Sequence, residues 1–186
     1  MPAAFRLLVG LGNPGREYRE TRHNVGFMIM DRLAAREHAE FRVEKRWRAE
    51  VARCGDTYLC KPLTFMNLSG EAARSIAHFH KIDPGQVLVV LDDMALPLGR
   101  LRLRADGSSG GHNGLQSLLE HFSTRVLPRL RIGIGAAPGA ALAVGHVLGR
   151  FAPAEQEVLR ESLDRALAAI DAAQTDGLAA AMNAFN

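Results

Sequence analysis

Five apolar residues in succession, Val87-Leu88-Val89-Val90-Leu91, constrain this chain more than any other feature. A strand that faces water on one side alternates polar and apolar residues. One that is apolar at every position has to be covered on both faces, as the central strands of layered sheets are. The run ends in Asp92-Asp93, so two carboxylates emerge where a buried strand stops. In open sheets ligands bind beyond the carboxyl ends of the strands, so this is the first place to look for chemistry.

Strand and helix patterns alternate around that run. Phe5 to Val9 is a second short apolar stretch, stopping at Gly10. From Asn24 the residues Val25, Met28, Ile29 and Leu33 fall at helical spacing and predict a helix to about Glu37. Arg48 to Arg53 and Tyr58 to Leu63 flank Gly55-Asp56 as a hairpin. Asn67 to His80 reads as a helix that ends before Asp83-Pro84-Gly85. Arg100 to Arg104 alternates, with Leu101 and Leu103 on one side and arginines on the other. A helix from His112 to Phe122 and a strand from Leu130 to Gly135 follow. Glu155 to Gln174 carries Val158, Leu163, Leu167 and Ile170 on one stripe, and Asp176 stands ready to cap a last short helix. These elements predict one α/β domain over residues 1–186, a twisted mixed sheet with helices on both faces.

Composition narrows the classes. The 186 residues suffice for one sizeable core, and an apolar fraction of 47% with 23% charged residues is ordinary for a folded soluble chain. No apolar run reaches the roughly 18 residues needed to cross a bilayer. The start, Met1 to Arg6, lacks the cationic and apolar regions of an export signal, so a cytoplasmic protein is expected. Cys54 and Cys60 are expected to be reduced thiols, too few for a disulfide framework or a zinc site. The net charge is +3, supplied almost wholly by arginine, whose planar fork suits phosphate.

Several polar clusters fall in predicted loops. Gly10-Leu11-Gly12-Asn13-Pro14-Gly15 matches a dinucleotide fingerprint in letters only. Pro14 removes an amide from the loop, the helical pattern opens about ten residues too late, and Asp31 lies inside that helix. A tight loop that brings Asn13 to a ligand is the better reading. His23, in Thr21-Arg22-His23-Asn24, can be a packed or capping residue, but a carboxylate at the end of the buried strand can orient it as a base. Asp92 and Asp93 are both candidates for that carboxylate. Asn67 and Asn113, each beside glycine or serine near a predicted helix start, read first as caps, yet an amide can equally hold water or an oxyanion. His78 and His80 diverge on their helix and cannot share a metal. The serines lack a nucleophile elbow, and no triphosphate-binding loop is present.

Taken in order, Val9 to Gly15, Tyr18 with Thr21 to Asn24, Thr64 to Gly70, Gly110 to Gly114, and Arg129 to Gly135 resemble the bacterial peptidyl-tRNA hydrolase family in spacing along nearly the whole chain. The resemblance implies a monomeric esterase, without metal or cofactor, that cleaves the bond between a peptide and the 3′-terminal ribose at the acceptor end of tRNA. It implies His23 as general base, Asp92 as its carboxylate, and Asn13 as the residue that senses a blocked amino group. Asn67 and Asn113 then hold the tRNA end and the attacking water, Tyr18 and Phe65 contact substrate, and Arg104 and Arg131 clamp a phosphate. The chain departs from the family at Ala95, where a carboxylate is usual, at Leu91, where histidine is common, and in residues 136–144, which lack lysines. A catalytically inactive RNA-binding relative is the alternative, and the presence of the base with its orienting carboxylate argues against it.

Overall fold

The structure, a computed structural model, describes residues 4–186. Residues 1–3, part of the segment read for an export signal, lie outside the described residues. The central apolar run becomes β5 (Val87–Asp93), buried throughout. Its side chains alternate between two cores, Leu88 and Val90 into one and Val87, Val89 and Leu91 into the other. This is how a strand without a polar face is satisfied.

β1 (Leu7–Gly10), β4 (Thr57–Pro62) and β7 (Arg129–Gly133) lie parallel to β5 in the sheet. β2 (Arg42–Glu44), β3 (Ala49–Cys54) and β6 (Leu101–Arg104) are antiparallel to their neighbours. The result is a seven-stranded mixed sheet in the order β2-β3-β4-β1-β5-β7-β6. On one face pack α1 (Val25–Arg36), α5 (Gln156–Thr175) and α6 (Leu178–Phe185); on the other pack α2 (Ser69–Phe79) and α3 (Asn113–Phe122). A short helix, α4 (Ala143–Val147), has no buried residue.

The glycines of the first loop have a packing role. A Cβ on Gly26 would lie 2.5 Å from Leu11 N and Val90 O, and one on Gly10 only 2.4 Å from the carbonyl of Gly26. Without those carbons α1 settles directly on the ends of β1 and β5. The residues just ahead of α1, among them His23, are thereby carried to the carboxyl end of β5.

Three details differ from the sequence reading. β2 is an additional strand, too short and too exposed at Arg42 and Val43 to leave a periodic signal. The buried stripe of α5 runs through Leu159, Leu163, Ala166, Ile170 and Ala173, and Val158 is exposed. Alanines filled the stripe where helix and sheet approach closely, so the large residues alone misled the phase. Asp176 does not cap α6; its N–H closes α5 on Ala172 O, and α6 starts after Gly177 at φ +90° without a side-chain cap.

Candidate active site

His23 sits in a single 3₁₀ turn, Arg22–Asn24, that leads into α1, and Asp92 is the penultimate residue of β5. The His23 Nδ1 lies 2.9 Å from each Asp92 carboxylate oxygen. Asp92 is 3% exposed and His23 13%, so the pair meets at the floor of a cleft with the imidazole as its solvent side. Asp93 is turned away by strand alternation. Its Oδ1 accepts the Ala95 N–H at 2.8 Å and its Oδ2 stands 3.1 Å from Arg131 Nε. Of the two carboxylates left open by sequence, Asp92 is the one on the histidine.

A second imidazole completes the cluster, one to which the sequence reading assigned no role. The His112 Nε2 lies 2.8 Å from Asp92 Oδ1. Its Nδ1 accepts the N–H groups of Gly114 and Leu115 at 3.2 and 3.3 Å, as the N-cap of α3. A ring nitrogen that accepts from a backbone N–H carries no proton, so the proton of His112 is on Nε2 and is donated to Asp92. Asp92 therefore receives protons from two rings, and the His23 proton on Nδ1 leaves a free lone pair on Nε2. Burial pushes the Asp92 carboxyl pKa up, but the positive ends of the His112 and His23 N–H groups, hydrogen-bonded to the carboxylate, outweigh it and hold the pKa down at about 2. The carboxylate is ionised at neutral pH despite its burial.

Asn13, in the loop after β1, is clamped on three sides. Its N–H donates to Asn24 Oδ1 at 2.8 Å, its carbonyl accepts from Asn24 Nδ2 at 2.9 Å, and its own Oδ1 accepts the Met66 N–H at 3.0 Å. Since Oδ1 is engaged, the amide orientation is set and Nδ2 is the group left for a ligand. Asn24, 1% exposed, is a structural partner to which the sequence reading assigned no role.

The capping expectation fails for both other asparagines. Asn67 lies inside the turn Met66–Leu68 ahead of α2, and Asn113 is the first residue of α3, capped instead by His112. Both side chains are exposed and uncommitted to a helix end. Phe65, beside Met66, is 69% exposed, an unusual position for a phenylalanine without a ligand to cover it. Tyr18, half-buried, ends the turn Arg16–Tyr18, and its carbonyl accepts the Thr21 hydroxyl at 2.8 Å.

Arg104 and Arg131 share one face at the far edge of the sheet. In the β6–β7 register Arg104 stands opposite Arg129 and Arg102 opposite Arg131, so by strand alternation all four point to the same side. Arg102 and Arg104 are exposed, Arg131 is 23% exposed, and Arg129 is buried with its Nε on Leu127 O at 2.7 Å. Burial, and then the charge of Arg131, push the Arg129 pKa down.

His23, Asp92, His112, Asn113 and Arg131 line one cavity of about 490 Å³. Asn13 and Asn24 line another of about 470 Å³ that also holds Arg16, Arg19 and Lys61. One cleft thus holds an imidazole on a buried carboxylate with the Asn113 amide and the Arg131 guanidinium, and Asn13 stands in the other.

The sequence profile of a family described as peptidyl-tRNA hydrolase matches residues 7–186. The chain belongs to the peptidyl-tRNA hydrolase family. A peptidyl-tRNA hydrolase of Synechococcus sp. (strain JA-3-3Ab) is 52% identical over 187 residues, covering 98% of this chain and 83% of the relative. One of Akkermansia muciniphila is 47% identical over 186 residues, covering 100% and 98%. The solved peptidyl-tRNA hydrolase of Acinetobacter baumannii superposes with a TM-score of 0.92 at 34% identity, over 97% of this chain and 93% of that one.

In this member of the peptidyl-tRNA hydrolase family the departures noted in sequence gather on one wall. Ala95, Ala136, Ala137, Ala140 and Val144 line the same cavity as His23. That wall is apolar. The ligand atoms of His23, Asp92 and His112 lie within 4.8 Å of one another, a set able to ligate a transition metal. Ligation there would remove both protons from the Asp92 bridge and occupy the nitrogen of His23 that orients it, which opposes its use as a base.

Proposed function

We propose that His23 is the general base with which this member of the peptidyl-tRNA hydrolase family hydrolyses the ester between a peptide and the 3′-terminal ribose of tRNA. The observation that carries the reading is the His23 Nδ1 contact, 2.9 Å, to a buried carboxylate that His112 also supplies with a proton. That contact leaves Nε2 as the basic nitrogen. Water bonds to the ester carbonyl carbon as its proton passes to Nε2, and Asp92 stabilises the imidazolium that forms. The tetrahedral oxyanion takes hydrogen bonds from amide donors, for which Asn113 and Asn67 are the candidates. Its collapse breaks the bond to the ribose 3′-oxygen, which recovers the proton from His23.

Asn13 supplies selectivity in this reading. Its free Nδ2 can donate to the carbonyl of a peptide or N-acyl group. A free ammonium offers only donors and meets another donor there. Tyr18 and Phe65 give apolar contact to substrate, and Arg104 with Arg131 meets a phosphate of the acceptor stem. The chain acts in this account as a monomer in the cytoplasm, where its substrate arises. A catalytically inactive RNA binder has no use for a carboxylate kept ionised in the interior between two imidazoles, an arrangement that is expensive to bury.

The test compares N-acetyl-aminoacyl-tRNA with the unblocked aminoacyl-tRNA. Release from the blocked substrate alone is expected. Equal release from both would overturn the role of Asn13, and no release from either would overturn the esterase reading.

A further inference from the structure

At the opposite edge and the opposite end of the sheet lies a cavity that ester hydrolysis does not use. It encloses about 540 Å³ against the β2–β3–β4 edge and is lined by Arg42, Arg46, Trp47, Arg53, Tyr58 and His80, among others. Tyr58 pairs with Leu7 at the start of β1, and Leu7 with Val87 at the start of β5. Asp92 is therefore roughly 17 Å further along the strand direction and about two strand spacings across. The nucleotide held at His23 does not itself reach this place.

The walls alternate arginine with aromatic planes. Tyr58 stacks on His80 at 4.1 Å and 25°, and Trp47 meets His80 and Phe79 edge-on at 5.5 and 5.4 Å. The Arg46 guanidinium lies 3.9 Å from the centre of Trp47 and 4.4 Å from that of Phe79, and Arg53 lies 5.6 Å over Tyr58. Arg6 is pinned beside them by the carbonyls of His80 and Lys81. Among the described residues Arg22, Arg32, Arg36, Arg48, Arg131, Arg150 and Arg160 are ion-paired, whereas Arg6, Arg42, Arg46 and Arg53 are not. Burial and the charges of Arg46, Arg6 and Arg53 together push the His80 imidazole pKa down, so the positive field converges inside the cavity. Glu40 and Glu44 lie on its wall as well.

We propose that this cavity binds an unpaired nucleotide of single-stranded RNA. The base stacks on the outer faces of the Arg46 and Arg53 guanidinium planes, which themselves lie over Trp47 and Tyr58, and its phosphate takes the free donors of Arg42, Arg46 and Arg53. Guanidinium and aromatic planes are the surfaces on which unstacked bases settle. An acidic peptide fits less well, because it brings no flat ring to the guanidinium planes and no base amino group for Glu40 and Glu44 to accept from. The nucleotide comes either from an unpaired part of tRNA or from a separate RNA strand.

Trp47 is the only tryptophan of the chain, so its fluorescence reports on this cavity and not on the catalytic cleft. The intact protein is titrated with a mixed-sequence hexaribonucleotide, with AMP, and with deacylated tRNA, at low and raised salt. Saturable quenching by the hexanucleotide is expected, weakened by salt and by about tenfold or more in Arg46→Gln/Arg53→Gln, with esterase activity retained. Quenching by tRNA as well identifies tRNA as a source; quenching by the hexanucleotide alone identifies a separate strand. Absence of quenching, or a midpoint unchanged in the variant, overturns the proposal. Circular dichroism checks the fold of the double variant, and Arg53→Gln alone carries the test if that variant is unfolded.

Discussion

His112 Nε2 stands 2.8 Å from Asp92 Oδ1 while its Nδ1 caps α3, so the ring bridges a helix start to the buried carboxylate. The residue touches neither His23 by hydrogen bond nor, in this account, the reacting atoms. It positions the base through Asp92. His112→Ala is expected to lower kcat about tenfold with little change in KM, and to cost roughly 1–3 kcal/mol of stability through the lost cap and the unsatisfied carboxylate. Partial recovery of kcat in His112→Gln, which can still donate to Asp92, distinguishes positioning from mere support of the fold.

Asp92 gives a pH signature. Its pKa is depressed from 3.8 to about 2, so the folded state binds this proton less readily than the unfolded chain. The stability it contributes, about 2 kcal/mol, is present above pH 4 and disappears as pH falls through about 2. Urea denaturation of wild type and Asp92→Asn is expected to differ at pH 6 and to converge towards pH 2. A constant difference across that range contradicts the assignment.

Asn13→Asp separates selectivity from structure. The new carboxylate keeps an oxygen for the Met66 N–H, yet replaces the Nδ2 donor with an acceptor. Discrimination between N-acetyl-aminoacyl-tRNA and aminoacyl-tRNA is expected to fall by about tenfold or more, as a donor that rejected an ammonium becomes an anion that attracts it. Melting temperature checks that the loop has not collapsed.

Arg104, exposed, and Arg131, beside Asp93, are assigned to phosphate. Either changed to Gln is expected to reduce the salt slope of tRNA binding by roughly one counterion's worth, about 0.7–0.9 in log Kd against log salt. A slope equal to that of wild type removes the residue from the phosphate track.

Much of this was legible in the residues. The unbroken apolarity of Val87 to Leu91 dictated a central strand, and the letters around Asn13, His23 and Asp92 marked three loops at its carboxyl end. What stayed hidden depends on phase and on distant contacts. Asp92 and Asp93 are equivalent until one knows which face α1 covers. His112 read only as the start of a helix, because its partner Asp92 is distant in sequence and its role depends on which nitrogen carries the proton. Asn67 and Asn113 sit where caps are common, but the turn before α2 and the ring of His112 had already filled those positions. Arg129, to which the sequence assigned no separate role, is 2% exposed and stands opposite Arg104 in the β6–β7 register.

The most direct test of the central claim is a single-turnover measurement of N-acetyl-aminoacyl-tRNA cleavage by wild type and His23→Ala, with tRNA affinity measured in parallel. The account predicts a rate lower by about 10²–10⁴-fold in the variant with affinity unchanged. Cleavage at the wild-type rate would contradict it, since the cluster built around Asp92 would then be orienting a histidine that takes no proton.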